Sequence, residues 1–263
     1  MDIFKIIDEF QKIDGDAAGR LEHASRRFFM NRVSRKLAAA AVPVAFATIV
    51  NKAYAQSAKA IDVLNYALTL EYLEDEFYKA GNAAANLIPA SDKAIFTQIG
   101  KHETAHVAFL VKALGAKAIA KPSFDFTYKG NFGTVFTDYK TFVTVSSALE
   151  DTGVRAYKGQ AGELIADPQI LEYALQVHSV EARHAAVARR LAATVTGNAA
   201  MKGWITLNQG AVAPIYAGEQ NTTQGGVDIK GLASKSDAAV TEAFDEPLTM
   251  EQVLAIAGPF IKA

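Results

Sequence analysis

The chain has 263 residues, half of them apolar, and 27 basic against 28 acidic side chains give a net charge of −1. That length buries a full core in one domain with extra segments to spare, and the balanced charge gives no footprint for nucleic acid as a partner. Cysteine is absent, which excludes disulfides, iron–sulfur clusters, thiolate catalysis and an attached cysteine-ligated electron-transfer module.

The first segment has the features of an address. Within Met1–Ala24, the spacing of Ile3, Phe4, Ile6, Ile7 and Phe10 predicts a short amphipathic helix. Ser25-Arg-Arg-Phe-Phe-Met-Asn31 resembles a twin-arginine export motif. Arg32, Arg35 and Lys36 follow, then an apolar run from Leu37 to Val50. The run is short for a membrane span. Ala53-Tyr54-Ala55 supplies a small-x-small cleavage pattern before Gln56. Residues 1–55 are therefore expected to be an export signal. The mature protein is expected in the periplasm, without a stable transmembrane anchor. Twin-arginine export carries folded proteins, so a bound metal is expected to be chosen in the cytoplasm.

Four helices are predicted next, at 60–80, 91–117, 136–163 and 168–196, as an all-α four-helix bundle spanning 56–197. Ser91 is the expected N-cap of the second helix and Gly115 its end. The stretch from Lys121 to Asp138, rich in Gly, Pro and aromatics, is a long crossover between two antiparallel helix pairs. Asp167-Pro168 starts the fourth helix with proline at its first position. Beyond Gly197 the pattern turns irregular, and Gln209–Gly226 has little periodicity. Thr249 is expected to cap a short final helix, Met250–Ile256. This extension, 198–263, has enough Phe, Ile and Leu to pack on the bundle.

The bundle helices carry one pattern twice. Glu71 is followed seven positions later by Tyr78, then comes Glu103-Thr-Ala-His106. Glu150 is followed seven positions later by Tyr157, then comes Glu181-Ala-Arg-His184. Glu and His three apart lie on one side of a helix and reach one point beside it. A lone Glu on a facing helix can then bridge two metals. One Glu-x-x-His is weak, since exposed helices carry it by chance. The doubled set is stronger, because four of the chain's five histidines (His102, His106, His178 and His184, but not His23) fall in or beside it. Each glutamate also lies on or near an apolar stripe, such as Leu64, Leu68 and Phe77 around Glu71. Burying carboxylates there is costly without counter-charge, which metal ions provide. The six candidate ligands are Glu71, Glu103, His106, Glu150, Glu181 and His184. They make a di-iron or di-manganese inventory, with two Fe or two Mn ions equally suited to hard oxygen and imidazole donors. Tyr78 and Tyr157 are placed to donate to ligand carboxylates or to act as local electron donors.

Several stretches together resemble the ferritin-like domain proteins, in the branch of desiccation-related proteins and exported bacterial relatives. They are Asn65-Tyr-Ala-Leu-Thr-Leu-Glu-Tyr-Leu-Glu74, Leu114-Gly-Ala-Lys117 with Lys121-Pro-Ser-Phe-Asp125, Glu150-Asp-Thr-Gly-Val-Arg-Ala-Tyr-Lys-Gly159, Val180-Glu-Ala-Arg-His-Ala-Ala186 and Phe244-Asp-Glu-Pro-Leu248. The resemblance implies a ferritin-like bundle with a di-metal centre on the same six residues. Better-understood di-iron bundles often place an acid near the Glu of Glu-x-x-His to orient the imidazole. His102 and Val180 stand at those places here. In manganese catalases, which the arrangement resembles, a Glu of the second motif can be a base, which leaves the role of Glu181 open. His178, one turn before Glu181, is expected on the helix surface, with an extra ligand or a donor to the ligands as the alternative; Glu74 is expected beside the site and Glu76 in solvent. Three functions follow as expectations: redox chemistry with oxygen or peroxide in the cell envelope, a non-catalytic desiccation or stress protein, and cage-type iron storage in a homo-oligomer. Nothing in the tail suggests the capping helix of a cage.

Overall fold

In the computed structural model, residues 58–210 and 213–262 are described; the expected leader at 1–55 lies outside the described residues. The four long helices are α1 (Ala58–Ala83), α2 (Lys93–Leu114), α3 (Tyr139–Ala161) and α4 (Pro168–Thr196). α1 packs chiefly on α2 and α3 on α4, with a further contact between α1 and α3. α2 and α4 bury one stripe each, as amphipathic helices do. α1 and α3 are buried around most of their circumference.

The helix ends follow local chemistry and correct the expected boundaries. α2 starts after Asp92, not Ser91, and Asp92 makes no side-chain cap bond. Gly115 stops α2 at a φ of 55°, and Gly115–Lys117 continues as a single 3-10 turn. α3 starts three residues later than expected because the Asp138 carboxylate accepts the Thr141 amide at 2.8 Å. α4 starts at Pro168 as expected, and Gly197 ends it at a φ of 69°.

The crossover between α2 and α3 is an aromatic plug, not an open loop. Phe126 and Phe136 pack on Phe77 of α1. The Phe124 backbone pairs with Ile261 near the chain's end. Tyr128 meets Phe260 with ring centroids 4.6 Å apart.

The extension has more regular structure than its composition suggested. A small antiparallel hairpin joins β1 (Thr223–Gln224) to β2 (Val227–Asp228). Its turn residues Gly225 and Gly226 both take positive φ, the demand of a tight hairpin turn. Two short helices follow, α5 (Ile229–Ala233) and α6 (Asp237–Thr241), then α7 (Met250–Ala257). Thr249 caps α7 as expected, in a capping box with Gln252. Among the described residues, no helix is long and apolar enough to cross a membrane.

Two buried arginines fix the extension to the bundle. Arg155 of α3 is fully buried, 2.8 Å from Glu219, and donates to the carbonyls of Ile215, Ala217 and Glu246. Arg189 of α4 pairs with Asp151 at 2.7 Å, and Tyr216 donates to the same carboxylate oxygen at 2.6 Å. A buried guanidinium needs every donor met, so these residues hold the extension in one place. The chain then passes so close to α3 that a Cβ on Gly159 would sit 1.8 Å from the Leu248 carbonyl oxygen. Gly162 has open space instead. Gly159→Ala should therefore lower stability by about 2–3 kcal/mol through overpacking against backbone. Gly162→Ala should be neutral or slightly stabilising. Denaturant melts of the two variants check this.

Candidate metal centre

The phase of each helix carries its acid inward. Glu71, Glu103, Glu150 and Glu181 are all fully buried, and His184 nearly so. His106 keeps 13% of its side chain exposed. Two clusters result, each with its four donor atoms within 4.8 Å of one another. The first joins Glu71, Glu103, His106 and Glu181; the second joins Glu103, Glu150, Glu181 and His184. All six candidate ligands are thus brought together. One expectation is corrected: the shared carboxylates are not the lone Glu71 or Glu150. They are Glu103 and Glu181, the acids of the two Glu-x-x-His pairs, because α2 and α4 point both acids to the middle.

Distances define the halves. His106 Nδ1 lies 3.1 Å from Glu71 Oε2, 3.1 Å from Glu103 Oε2 and 3.3 Å from Glu181 Oε1. His184 Nδ1 lies 2.8 Å from Glu103 Oε1 and 3.3 Å from Glu150 Oε2. Yet Glu103 Oε1, Glu150 Oε2, both oxygens of Glu181 and His184 Nδ1 are buried without a hydrogen-bond partner. Carboxylate oxygens and an imidazole nitrogen crowd together there out of hydrogen-bonding alignment. Such crowding is repulsive in a low dielectric, and a cation in the middle turns it into coordination. Oxygen donors with one imidazole per cluster fit iron or manganese.

The tyrosines reach across the bundle. Tyr78, on the helix of Glu71, donates to Glu150 Oε1 and lies 2.7 Å from Ser146 Oγ. Tyr157, on the helix of Glu150, donates to Glu71 Oε1. Each phenol therefore fixes the outer carboxylate of the opposite half and turns its second oxygen to the centre.

The orienting partner of one histidine is another histidine. His102 Nδ1 lies 2.8 Å from His184 Nε2, the two rings stacked with centroids 5.1 Å apart, and Gln98 meets His102 Nε2 at 2.7 Å. With Nε2 so engaged, His184 presents Nδ1 to the carboxylates. Spacing alone does not reveal this contact: His102 is one step out of phase with Glu103 on α2, and its partner lies on α4. Ser146 was missed as a tyrosine partner for the same reason. His178 is half-buried and belongs to neither cluster. Glu76 is held at the surface by Lys121 at 2.6 Å, which ties the crossover to α1. Glu74 is buried beside the site: a Cβ on residue 153 would meet Glu74 Oε1 and Glu181 Oε2 at 3.2 Å each, so Gly153 leaves room for both.

Metal-free, the cluster must hold protons. Burial pushes Glu103 up to about 7, with Glu150 and Glu71 adding to the rise and the histidines opposing it. Burial and the neighbouring carboxylates push Glu181 and Glu74 well above the usual range. Burial works against charge on the histidines, but the facing carboxylates prevail. They lift His106 far up and His184 to about 11. Burial, with Glu150 and Glu71 respectively, keeps Tyr78 and Tyr157 protonated.

A family model described as ferritin-like domain matches residues 59–194, about half of the chain and all six clustered residues. No curated protein matches the chain.

The proton inventory sets a pH dependence. Groups whose folded pKa is raised stabilise the metal-free chain at low pH and lose that contribution as pH rises through the folded value. For Glu103 the loss runs from its ordinary value near 4.5 to about 7. Metal binding displaces those protons and so tightens as pH rises. The difference in Tm between metal-loaded and chelated protein should therefore widen by several degrees from about pH 5 to about pH 8, as read by calorimetry.

Proposed function

The chain belongs to the ferritin-like domain family, and from that premise we propose that it is an exported di-metal carboxylate protein of the cell envelope. Its proposed work is redox chemistry with oxygen or peroxide, in protection against stress. The observation that carries this reading is the sharing of Glu103 and Glu181 between two buried clusters of three carboxylates and one imidazole. The twin-arginine-like leader supports the compartment.

Glu71 and His106 would hold one ion, Glu150 and His184 the other, with Glu103 and Glu181 between them. Four carboxylates balance two divalent charges, which suits a buried site. Iron or manganese held there would supply one-electron redox chemistry with oxygen or peroxide. The chain's own residues set the conditions. Tyr78 and Tyr157 stay protonated and orient Glu150 and Glu71. His102 fixes the ring of His184. Glu74 lies beside Glu181, where burial and the neighbouring carboxylates raise its pKa in the metal-free chain. Phe77, Phe96 and Phe142 close one end of the bundle against water.

The sharing of ligands predicts unequal losses. Protein from its native compartment should carry about two iron or manganese ions per chain. Glu71→Ala should retain about one ion, whereas Glu103→Ala should lose both, because it serves both clusters. Elemental analysis reads these outcomes, and metal-free protein from metal-replete cells would overturn the reading. Fe(II) oxidation and peroxide consumption are then assayed on the loaded chain. A large chelator-sensitive melting shift with neither turnover would assign a structural protective role instead.

A further inference from the structure

The two copies of the repeated pattern surround unlike spaces. At the Tyr78 end, Phe77 and Phe142 stack with centroids 5.0 Å apart, Phe96 meets Phe142 at 5.0 Å, and all three rings are fully buried. The corresponding positions of the other copy follow by equal offset from the repeated glutamates. One residue before each tyrosine stand Phe77 and Ala156; seven before each Glu-x-x-His stand Phe96 and Ala174; eight before each lone glutamate stand Phe142 and Val63. Three rings are thus replaced by two methyls and an isopropyl group.

The missing volume stays open. Val63, Ala156 and Ala174 all line a cavity of about 30 Å³ at the Tyr157 end, with Ala67, Ala113 and the Tyr157 ring. A water-sized molecule needs about 10–15 Å³ by the same measure, so the space suits a molecule of two heavy atoms. The exposed lining is almost wholly hydrocarbon. Apolar cavities of this kind stay dry and take apolar guests. Tyr66, also in the lining, has a buried hydroxyl without a hydrogen-bond partner. Gln160 and Tyr173 also line the space, but so little of its exposed surface is polar that hydrogen peroxide, which brings two donors of its own, finds little to receive them. The tyrosines differ in step. Tyr78 has both Glu150 and Ser146, while Ala67 stands in the place of Ser146 near Tyr157. Tyr157 lines the cavity, and its hydroxyl donates to Glu71.

We propose that this cavity is a binding site for an apolar diatomic molecule, dioxygen, held against Tyr157 at the edge of the carboxylate cluster. The choice of dioxygen rests on the redox reading above; the existence of the gas site does not.

The test uses xenon and dissolved oxygen as separate probes. Crystals of the metal-loaded chain under xenon should show one xenon between Ala113, Ala156 and Ala174. In zinc-loaded protein, dissolved oxygen should selectively enhance the NMR relaxation of the Ala67, Ala113, Ala156 and Ala174 methyls, with no turnover needed. Ala174→Phe copies the closed end, and Ala174→Leu is a milder filling should the first fail to fold. Either should abolish both signals while metal content stays at wild-type level. In iron-loaded protein the filled variant should raise KM for oxygen about tenfold with kcat unchanged, and leave peroxide consumption unaltered. Absence of xenon from the wild-type cavity, or methyl relaxation no greater than at the closed end, overturns the proposal. So does an unchanged oxygen KM in a filled variant. A wild-type chain that shows both gas signals but no oxygen consumption supports the gas site and refutes the redox reading alone.

Discussion

Four buried carboxylates converge in the middle of this bundle, where among the described residues no lysine or arginine forms an ion pair with them, and the cost of their charge is the constraint on which the rest depends. An isolated buried carboxylate is too costly to keep ionised. Protons on Glu103, Glu181 and the histidines meet the cost without metal, and the two clusters could hold metal cations in their place. Both states require the same arrangement, with each acid turned inward and each outer oxygen fixed by a tyrosine from the opposite half. The crosswise tyrosines also tie α1 to α3 at the level of the site. Ligand placement and bundle assembly are thus one set of contacts.

The outer face of α3 has a separate set of charges. Asp151 and Arg155 lie about 100° and 500° along the helix from Glu150, and so point away from it. They would be stranded in apolar surroundings without the extension. Glu219, Tyr216 and the carbonyls of Ile215, Ala217 and Glu246 satisfy them. This accounts for the polar run Glu150-Asp-Thr-Gly-Val-Arg in a helix that is buried around most of its circumference. One side serves the centre and the other serves the extension, and Gly159 allows the extension to approach. The segment beyond 197 is therefore a wall of the bundle.

The doubled pattern has kept its donors and changed its filling. Ligands, tyrosines and spacing recur, while the surrounding apolar positions diverge from phenylalanine to alanine and valine. Polar symmetry at the centre is maintained in two like clusters of three carboxylates and one imidazole. Nothing demands the same symmetry of the packing, so one end is sealed and the other is left hollow. His102 breaks the symmetry too, since Val180 stands in its place in the second copy and offers no partner for His106.

Four helices, inward carboxylate stripes and the six residues that come to cluster, with Tyr78 and Tyr157 beside them, were readable from sequence. These depend on period and spacing, which a helix converts directly into a shared face. The capping of α7 by Thr249 and the start of α4 at Pro168 were legible for the same local reason. Which carboxylates are shared, that each tyrosine serves the opposite half, and that His102 turns the ring of His184 follow from packing between helices. Tertiary packing also set the extension on two buried arginines and left the space beside Tyr157. Each of these depends on how one helix is rotated and shifted against another, and the summed packing of the whole bundle sets that relation.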